Sequence, residues 1–461
     1  MVRSIVKRAQ CVRMPGIPGS RTPRARHIGP CMNPSATGAT GAVLFRDASV
    51  LDGSGAPPFR ADVRVEGQRI ASIARSGASQ PDAATVIECR GATLMPGLIE
   101  PHAHLSFVDQ ATPFAFTAIP VEEHLLLTLK HAKLYLDQGF TSCFSAAATK
   151  PRLDIVARDA IARGDHPGPR LRAASVQLTV TGGVGDLRQL HLDPGEAMYT
   201  LPCDGPVEFR RAAREACREG VDVLKIVPSG DTSTPAVPSA RTLMTEDEVA
   251  AVCEVARAHE RVVAAHARSA ESIRMCVRHG VSVVYHATCA DEEALDLLES
   301  RKATLFVAPA LSVTVTRLRD AGKFGLPASD AMKRRIEADL ERTIATMKAL
   351  KARGVRVLPG GDYGFMWNPH GANARDLTYF VDLLGFTPME AIVGATRHGG
   401  EIMGMGHELG QVREGFLADL LLVDGDPLAE LSILEDRARL LGIMKDGAFH
   451  KRPPATRTHG N

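Results

Sequence analysis

The segment PVEFRRAAREACREGVDVLKIVPSGD, residues 206–231, contains one complete unit of an alternating fold. Its first half has apolar residues three and four positions apart, which is typical of an amphipathic helix. Gly220 follows, and a glycine just past a helix end relieves the left-handed backbone there. The β-branched run after Gly220 favours a strand. Helix, glycine and strand recur around Gly139, Gly280 and Gly354, so the sequence predicts parallel strands joined by helices.

Such units give eight candidate strands in the middle of the chain. They lie near Leu94–His104, Phe140–Ala146, Arg170–Thr179, Val221–Val227, Val262–Ala267, Val281–His286, Thr304–Pro309 and Val355–Asp362. Eight strands alternating with helices predict an α/β fold of the (β/α)8 type, a TIM barrel. A doubly wound open sheet is the alternative, but the G-x-G-x-x-G fingerprint usual after its first strand is missing.

Short strand-like segments at both ends of the chain predict a second, smaller domain. Residues 41–93 and 406–461 alternate apolar runs with Gly, Pro and Ser, and we expect them to form one β-sandwich together. The barrel then occupies residues 94–405. Residues 1–40 are basic, lack acidic side chains and show no periodic apolar pattern, which indicates a disordered tail. A transit-like peptide, or an upstream extension of a chain that naturally starts at Met32, is the alternative there.

Composition narrows the class of protein. Hydrophobic residues make up 44% of the chain and charged residues 23%, as in ordinary globular proteins. The formal net charge of +2 gives no argument for nucleic acid or an anionic membrane as a partner. Nine cysteines without a C-x-x-C pair indicate buried thiols in a reducing compartment. We therefore expect a cytoplasmic protein with a small-molecule substrate.

Residues that can bind metal recur at predicted strand ends. In LMPGLIEPHAHLSF, Leu94–Phe107, His102 and His104 are two positions apart and would point to the same side of a strand. The others at strand ends are Lys225, His266, His286 and Asp362. Singly, each has a structural explanation, as a core histidine, a solvent-reaching lysine or a turn aspartate. Together they lie on the face where barrel enzymes place active sites, and imidazole with carboxylate suits zinc or a similar ion.

These residues and their surroundings resemble the amidohydrolase superfamily of metal-dependent hydrolases. The resemblance rests on PGLIEPHAH, on the K-I-V-x-S-G lysine segment, and on GQVREGFLADLLLVDGDPL with KDGAF near the end. Within the superfamily the chain is most similar to the Xaa-Pro-dipeptidase and imidazolonepropionase-like branch. The stretch GGDYGFMWNPHGANARDLTYFVDLLGFTPMEAIVGAT favours the molinate, phenylurea and ochratoxin hydrolase group within that branch.

The resemblance implies a binuclear metal centre, with zinc as the expected metal and cobalt or manganese as alternatives. His102, His104 and Asp362 would hold the more buried ion, and His266 and His286 the more exposed one. Lys225, carboxylated by carbon dioxide, would bridge the two. A metal-bridged hydroxide would attack the scissile carbonyl, and Asp362 would act catalytically by moving its proton to the leaving amine.

Loops after the first and last strands suggest the substrate. Phe107 lies in one loop, and Tyr363, Phe365 and Trp367 lie in the other, although aromatic residues make up only 5% of the chain. Such rings suit a flat, apolar substrate, and their alternative role is to pack the loops or a subunit interface. Arg268 could bind a substrate carboxylate. Further loop candidates for substrate contacts are His191 and His370.

We therefore predict a metal-dependent amidohydrolase that cleaves a C–N bond in a small, largely apolar amide, urea or carbamate. The chain departs from dipeptidase-like relatives at TGGVG, with Val184, and at HAR, with Arg268, which weakens the case for a dipeptide substrate. An Xaa-Pro-type dipeptidase or an ochratoxin-like N-acyl-amino-acid hydrolase is the alternative. A catalytically inactive oligomeric scaffold is the alternative from another class. We expect a homo-oligomer.

Overall fold

The computed structural model of the protein describes residues 41–77, 83, 85–191, 198–234 and 236–454, apart from the side chains of residues 113 and 114. The predicted basic tail, residues 1–40, lies outside these ranges, as do residues 455–461. Within these ranges, no helix combines the length and apolar character needed to cross a membrane.

Strands occupy both ends of the described chain and alternate with helices between them. The strands are β1 (Val43–Val50), β2 (Phe59–Glu66), β3 (Arg69–Arg75), β4 (Thr85–Glu88), β5 (Thr93–Pro96), β6 (Leu98–Ala103), β7 (Phe140–Ser145), β8 (Arg170–Arg172), β9 (Ala174–Thr179), β10 (Thr200–Pro202), β11 (Val223–Ile226), β12 (Val262–Ser269), β13 (Val283–Cys289), β14 (Phe306–Ala308), β15 (Arg356–Val357), β16 (Leu420–Val423), β17 (Leu440–Lys445) and β18 (Ala448–Lys451). The helices are α1 (Pro113–Thr117), α2 (Val121–Asp137), α3 (Leu153–Arg163), α4 (Gly205–Glu219), α5 (Glu246–Ala258), α6 (Ala270–His279), α7 (Glu292–Ser300), α8 (Leu311–Arg319), α9 (Asp330–Ala352), α10 (Arg375–Leu384), α11 (Pro388–Ala395) and α12 (Arg397–Ile402). Short 3-10 helices cover Ala321–Phe324 and Leu431–Glu435.

The two ends of the chain pair in one sheet. Its strands follow the order β18-β17-β16-β5-β1-β2-β3, and β4 pairs with β1. β16 runs antiparallel to β5, which places Leu421 opposite Met95. Buried residues from both ends, among them Phe45, Leu94 and Leu420, share one hydrophobic cluster. Burying this cluster therefore requires the two segments to meet. Their arrangement as a two-layer sandwich stays a prediction.

Parallel strands form the middle of the chain. One set joins β6, β7 and β8, and a second follows the order β10-β9-β11-β12-β13-β14-β15. Every pairing in both sets is parallel. Only Ala173 separates β8 from β9, so these two correspond to one predicted strand. The predicted α/β class is confirmed, although no ladder among the described residues links β15 to β6.

The helix ends are those that the sequence predicts. Positive φ angles of 83°, 98°, 87° and 73° occur at Gly139, Gly220, Gly280 and Gly354. At the start of α11, Thr387 Oγ1 accepts from Glu390 N at 3.2 Å, while Glu390 Oε2 accepts from Thr387 N at 2.7 Å. This is a capping box, which pairs backbone donors that a helix start leaves open. Glycine and the capping box therefore mark these helix ends in the structure as well.

The first predicted strand, Leu94–His104, is divided at Gly97. Residues before Gly97 pair in the terminal sheet as β5, and residues after it pair with β7 as β6. Gly97 N donates to Asp419 O at 2.8 Å, and the next residue already pairs with the other sheet. A Cβ at position 97 would lie 2.2 Å from Thr141 Oγ1, so no side chain fits there. The prediction of one continuous strand was wrong, because this close contact depends on a residue far along the chain.

Candidate metal centre

Three of the predicted ligands meet at the carboxyl ends of the strands. His102 lies in β6, His104 follows it, and Asp362 follows β15. His104 Nε2 lies 3.3 Å from Asp362 Oδ1, and His102 Nε2 lies 3.8 Å from the same oxygen. One ligand atom from each of the three residues falls within 4.8 Å of the others. Two imidazoles and a carboxylate at this spacing suit a divalent transition metal.

The other three predicted ligands, Lys225, His266 and His286, line the same cavity. The rings of His266 and His286 have centroids 4.3 Å apart, and the His286 ring lies 5.4 Å from that of His102. Lys225 Nζ lies 4.1 Å from the centroid of the Tyr285 ring. The structure therefore brings all six predicted metal residues to one cavity of about 270 Å³.

Burial keeps the imidazoles of this cavity neutral. Desolvation lowers the pKa of His104 and of His266 to about 3, because it disfavours the charged ring. The same cause lowers the pKa of His102 and of His286 well below the usual range. In the described part of the chain, Nδ1 of His102 and Nδ1 of His286 are buried without a hydrogen-bond partner. Neutral, unpaired imidazole nitrogens are the form that binds metal, so these residues fit a metal ion.

Lys225 is a buried amine in the apolar strand β11. Desolvation lowers its pKa to about 7, against the opposing attraction of Asp362. Its backbone N–H donates to Ser175 Oγ at 3.0 Å, which holds this part of β11 against β9. Near neutral pH, a large fraction of this amine is therefore uncharged and nucleophilic.

Asp362 enters the cavity from a strained backbone. Its φ is +57°, in the left-handed region that residues other than glycine rarely adopt, and His286 has a φ of +72°. A Cβ at the preceding Gly361 would lie 2.4 Å from the Tyr363 ring, so the turn needs glycine. Burial raises the pKa of the Asp362 carboxyl to about 6, while Lys225 opposes the rise. A carboxyl group with such a pKa can accept and release a proton near neutral pH.

Hydrogen bonds outside the cavity orient the ligands. His104 Nδ1 donates to Ala147 O at 3.1 Å, so Nε2 faces Asp362. The buried Glu100 accepts from His102 N at 3.0 Å and from Asn373 Nδ2 at 2.9 Å. The first contact fixes the ring of His104, and Glu100 holds the backbone of His102.

Aromatic rings form one wall of the cavity. Phe107 stacks on the His104 ring with centroids 4.2 Å apart, and Phe365 meets Phe107 edge-on at 5.5 Å. Trp367 stacks on Phe365 at 5.0 Å. We call Phe107, Phe365 and Trp367 the aromatic wall. It begins at a predicted metal ligand and offers apolar contact to a flat group.

Residues 93–449 match the Amidohydrolase family. The chain belongs to this family. It is a hydrolase that acts on carbon–nitrogen bonds.

Comparison with individual proteins shows which members of the family this amidohydrolase is similar to. It is 28% identical to ochratoxinase from Aspergillus niger over 382 residues, which cover 78% of this chain and 76% of that protein. A crystal structure of a prolidase complexed with N-methylphosphonate-L-proline has a TM-score of 0.80 and 27% identity, and the match covers 89% of this chain and 100% of that one. The structure of molinate hydrolase, with 18% identity and a TM-score of 0.71 over 92% of this chain and 99% of that one, shares the fold. The predicted superfamily is confirmed.

Arg268 lines the cavity of this amidohydrolase, but its charge is already paired. Its Nη2 lies 3.2 Å from Asp231 Oδ2, and its Nη1 donates to Thr288 Oγ1 at 3.0 Å. The residue is 4% exposed. The predicted role of Arg268 as receptor for a substrate carboxylate is not favoured, because Asp231 already neutralises its guanidinium.

Tyr363, His370 and His191 are not among the described residues that line the cavity. Tyr363 is buried, and its hydroxyl donates to Asn373 O at 3.2 Å. Both ring nitrogens of His370 are hydrogen-bonded, one to Phe107 O at 2.6 Å and one to the Tyr135 hydroxyl at 3.2 Å. His191 is exposed at the end of a described range. The structure therefore does not support substrate contacts for these three residues.

Asp231 was not predicted as a site residue. Besides pairing with Arg268, its Oδ2 lies 3.7 Å from His266 Nε2, so it contacts a predicted ligand. A signal was present, because Asp231 ends the lysine segment VDVLKIVPSGD directly after a strand.

Three buried histidines together hold the turn after His104, and this shared role was not predicted from the sequence. Ring nitrogens of His131, His124 and His370 donate to the carbonyls of three successive residues, Leu105, Ser106 and Phe107, at 3.1, 2.6 and 2.6 Å. We call these three the histidine clamp. His124 and His131 are seven residues apart in α2, a spacing that places both on one helix face and that the sequence shows. The clamp fixes the backbone of Phe107 and so the start of the aromatic wall.

Proposed function

We propose that this amidohydrolase is a binuclear metal-dependent hydrolase that cleaves a C–N bond in a small, largely apolar aryl amide, urea or carbamate. The observation that carries the proposal is the cavity that joins six ligand-type residues to the aromatic wall. The complete ligand set argues against a catalytically inactive scaffold. We also propose a closed (β/α)8 barrel, which the TM-score of 0.80 to the prolidase structure supports.

In this proposal His102, His104 and Asp362 would hold one ion, His266 and His286 would hold another, and Lys225, once carboxylated, would be a ligand common to both. The buried amine of Lys225, whose pKa is lowered to about 7, supports this role, because only the uncharged amine reacts with carbon dioxide. Zinc is the expected metal, with cobalt or manganese as alternatives. Bound divalent ions supply two things, a lowered pKa for water and polarisation of the scissile carbonyl.

The side chains of the cavity carry out the remaining steps. Asp362, whose carboxylate lies 3.3 Å from His104 Nε2 in the cavity, would take a proton from the attacking water and give it to the departing nitrogen. The aromatic wall, which lines the cavity, offers apolar contact to the aryl group. The histidine clamp keeps Phe107 in place during turnover.

A second candidate is an N-acyl-amino-acid hydrolase or dipeptidase. The similarity to ochratoxinase and to a prolidase favours it. The paired state of Arg268 counts against that residue as its carboxylate receptor.

Purified, metal-loaded protein should be assayed against anilides, phenylureas, thiocarbamates, N-benzoyl amino acids and dipeptides. We expect hydrolysis of at least one aryl substrate, close to two divalent ions per chain by elemental analysis, and loss of activity with a chelator. Restoration by added metal is the control for irreversible damage. Full activity in metal-free protein would exclude the proposal, and hydrolysis of dipeptides alone would replace its substrate class.

A further inference from the structure

The cavity is lined by more cationic side chains than carboxylates that could pair with them. Asp231 pairs with Arg268 at 3.2 Å, and Asp362 attracts Lys225. One further cation, Arg317, lines the same cavity. Among the residues that the structure describes, no carboxylate forms an ion pair with Arg317.

Arg317 is held in place by neutral groups. It lies in α8, half-buried, with its guanidinium carbon 4.9 Å from the centroid of the Trp367 ring. Its Nη1 donates to Leu326 O at 2.9 Å. Burial lowers the pKa of Arg317, and no acidic residue contributes an opposing effect. The guanidinium is therefore positioned and partly desolvated, yet its charge has no described counter-ion.

Such a cation is suited to bind an anion. A guanidinium presents five N–H donors in a planar fork that matches a carboxylate, and one of them is engaged by Leu326. Stacking on Trp367 restricts the side chain before a ligand arrives, so less entropy is lost on binding. Arg268 is less suited to bind an anion because its guanidinium already pairs with Asp231.

The contacts of the aromatic wall place Arg317 at the opposite end from the metal centre. Phe107 stacks on His104, whereas Trp367, the last ring, contacts Arg317. We propose that Arg317 binds a carboxylate of the substrate at the end of the aromatic wall remote from the scissile bond. This inference rests on the proposed function and narrows its substrate class to aryl amides whose ring carries a carboxylate away from the amide, such as carboxylated anilides.

Binding can be tested without turnover, because Trp367 is the only tryptophan of the chain and contacts Arg317. Phenylacetate and its neutral analogue phenylacetamide should be titrated while tryptophan fluorescence is followed. We expect phenylacetate to bind Arg317→Met roughly tenfold or more weakly than wild type, as for loss of a charge-assisted hydrogen bond. Phenylacetamide should bind both proteins alike. Arg317→Lys, which keeps the charge but not the fork, should be intermediate.

Arg319→Met is the matched control, since Arg319 lies on the same helix, is exposed and pairs with Asp320 at 2.7 Å. It should bind phenylacetate like wild type. Equal phenylacetate binding by wild type and Arg317→Met would overturn the inference, and so would an equal loss in Arg319→Met. Circular dichroism of Arg317→Met checks its fold, and Arg317→Lys carries the test if that variant does not fold.

Turnover gives an independent measurement. The specificity constant for 4-acetamidobenzoate should fall roughly ten- to a hundredfold in Arg317→Met, and that for deacetylation of the neutral 4-acetamidobenzamide should change little. A selective loss in Arg268→Met instead would assign the carboxylate to Arg268 and refute the inference. If neither compound is hydrolysed, the proposed function fails for this substrate class, while the fluorescence titration still decides the role of Arg317.

Discussion

The ring of Phe107 lies face to face with that of His104, with centroids 4.2 Å apart and planes 12° apart. A proposed metal ligand therefore forms part of the surface that we expect the substrate to contact. Trp367 lies two rings further along the aromatic wall, where it stacks on Phe365 and contacts Arg317. Substitutions at the two ends of this wall should consequently have different effects.

Trp367→Ala should impair binding of the aryl group and leave the metal centre intact. Loss of apolar contact worth about 1–3 kcal/mol should lower kcat/KM for an aryl amide roughly ten- to a hundredfold. Phe107→Ala should cause a similar loss and also reduce the metal content per chain, because its ring supports His104. Steady-state kinetics with elemental analysis measure both, and an aliphatic amide serves as the control substrate. Unchanged kcat/KM in Trp367→Ala would remove the aromatic wall from the substrate site.

Lys225→Ala should lose most activity, because the bridging group of the proposed centre is removed. Short carboxylic acids such as formate or propionate, supplied with fresh metal, should restore part of it by occupying the space of the carbamate. Lys225→Met, which fills the space without an acid group, should not be rescued. Activity of Lys225→Ala equal to wild type would mean that the lysine is structural.

Asp362→Asn should lower kcat far more than it raises KM, since a proton carrier acts in the transition state. The amide keeps the size of the side chain but cannot accept a proton. Because Asp362 is also a proposed metal ligand, elemental analysis should show that the variant keeps its metal before the loss is assigned to proton transfer. Stopped assays over a range of substrate concentrations give both constants. An effect confined to KM would indicate that Asp362 contributes to substrate binding instead.

Asp154 should make the protein less stable as pH rises. Burial raises its pKa from 3.8 to about 6, so the folded state holds the proton more tightly than the unfolded state. Its stabilising contribution is therefore complete below about pH 4 and is lost as pH rises through about 6, a change of about 2–3 kcal/mol.

Urea unfolding of wild type and Asp154→Asn between about pH 4 and 7 measures this effect as the difference between the two free energies. We expect the difference to shift in favour of Asp154→Asn as pH rises. Asp382→Asn, at an exposed position, is the control and should follow wild type. A difference that is constant across the range would contradict the prediction.

Local patterns were sufficient to predict most of the parallel strands and six residues that the structure brings to one cavity. His102 and His104 lie two positions apart at the end of β6, and the other predicted ligands follow β-branched runs, so position relative to the strand determines where each side chain points. The helix ends at Gly139, Gly220, Gly280 and Gly354 were predictable for the same reason, because glycine acts within a few residues.

Contacts between distant segments were not predictable in this way. Tyr363 follows Asp362 directly, yet Gly361 lets its ring fold back against the chain and away from the cavity. The sequence indicates that Arg268 could bind a substrate, but in the structure its guanidinium is paired with Asp231. His370 is engaged by Phe107, a residue far earlier in the sequence. Each of these contacts depends on a partner residue that cannot be identified from spacing along the sequence.

The sheet built from both chain ends affects how the protein is made. Strands β1 to β5 leave the ribosome first, but β16 to β18 emerge only after the whole middle of the chain has been translated. At about 5–20 residues per second, the edge of β5 waits unpaired for tens of seconds. An open strand edge and the uncovered side chain of Leu94 are features that promote aggregation of nascent chains. We therefore expect the chain to need chaperones most during translation. A messenger RNA truncated before the codon for Leu420 should yield insoluble protein.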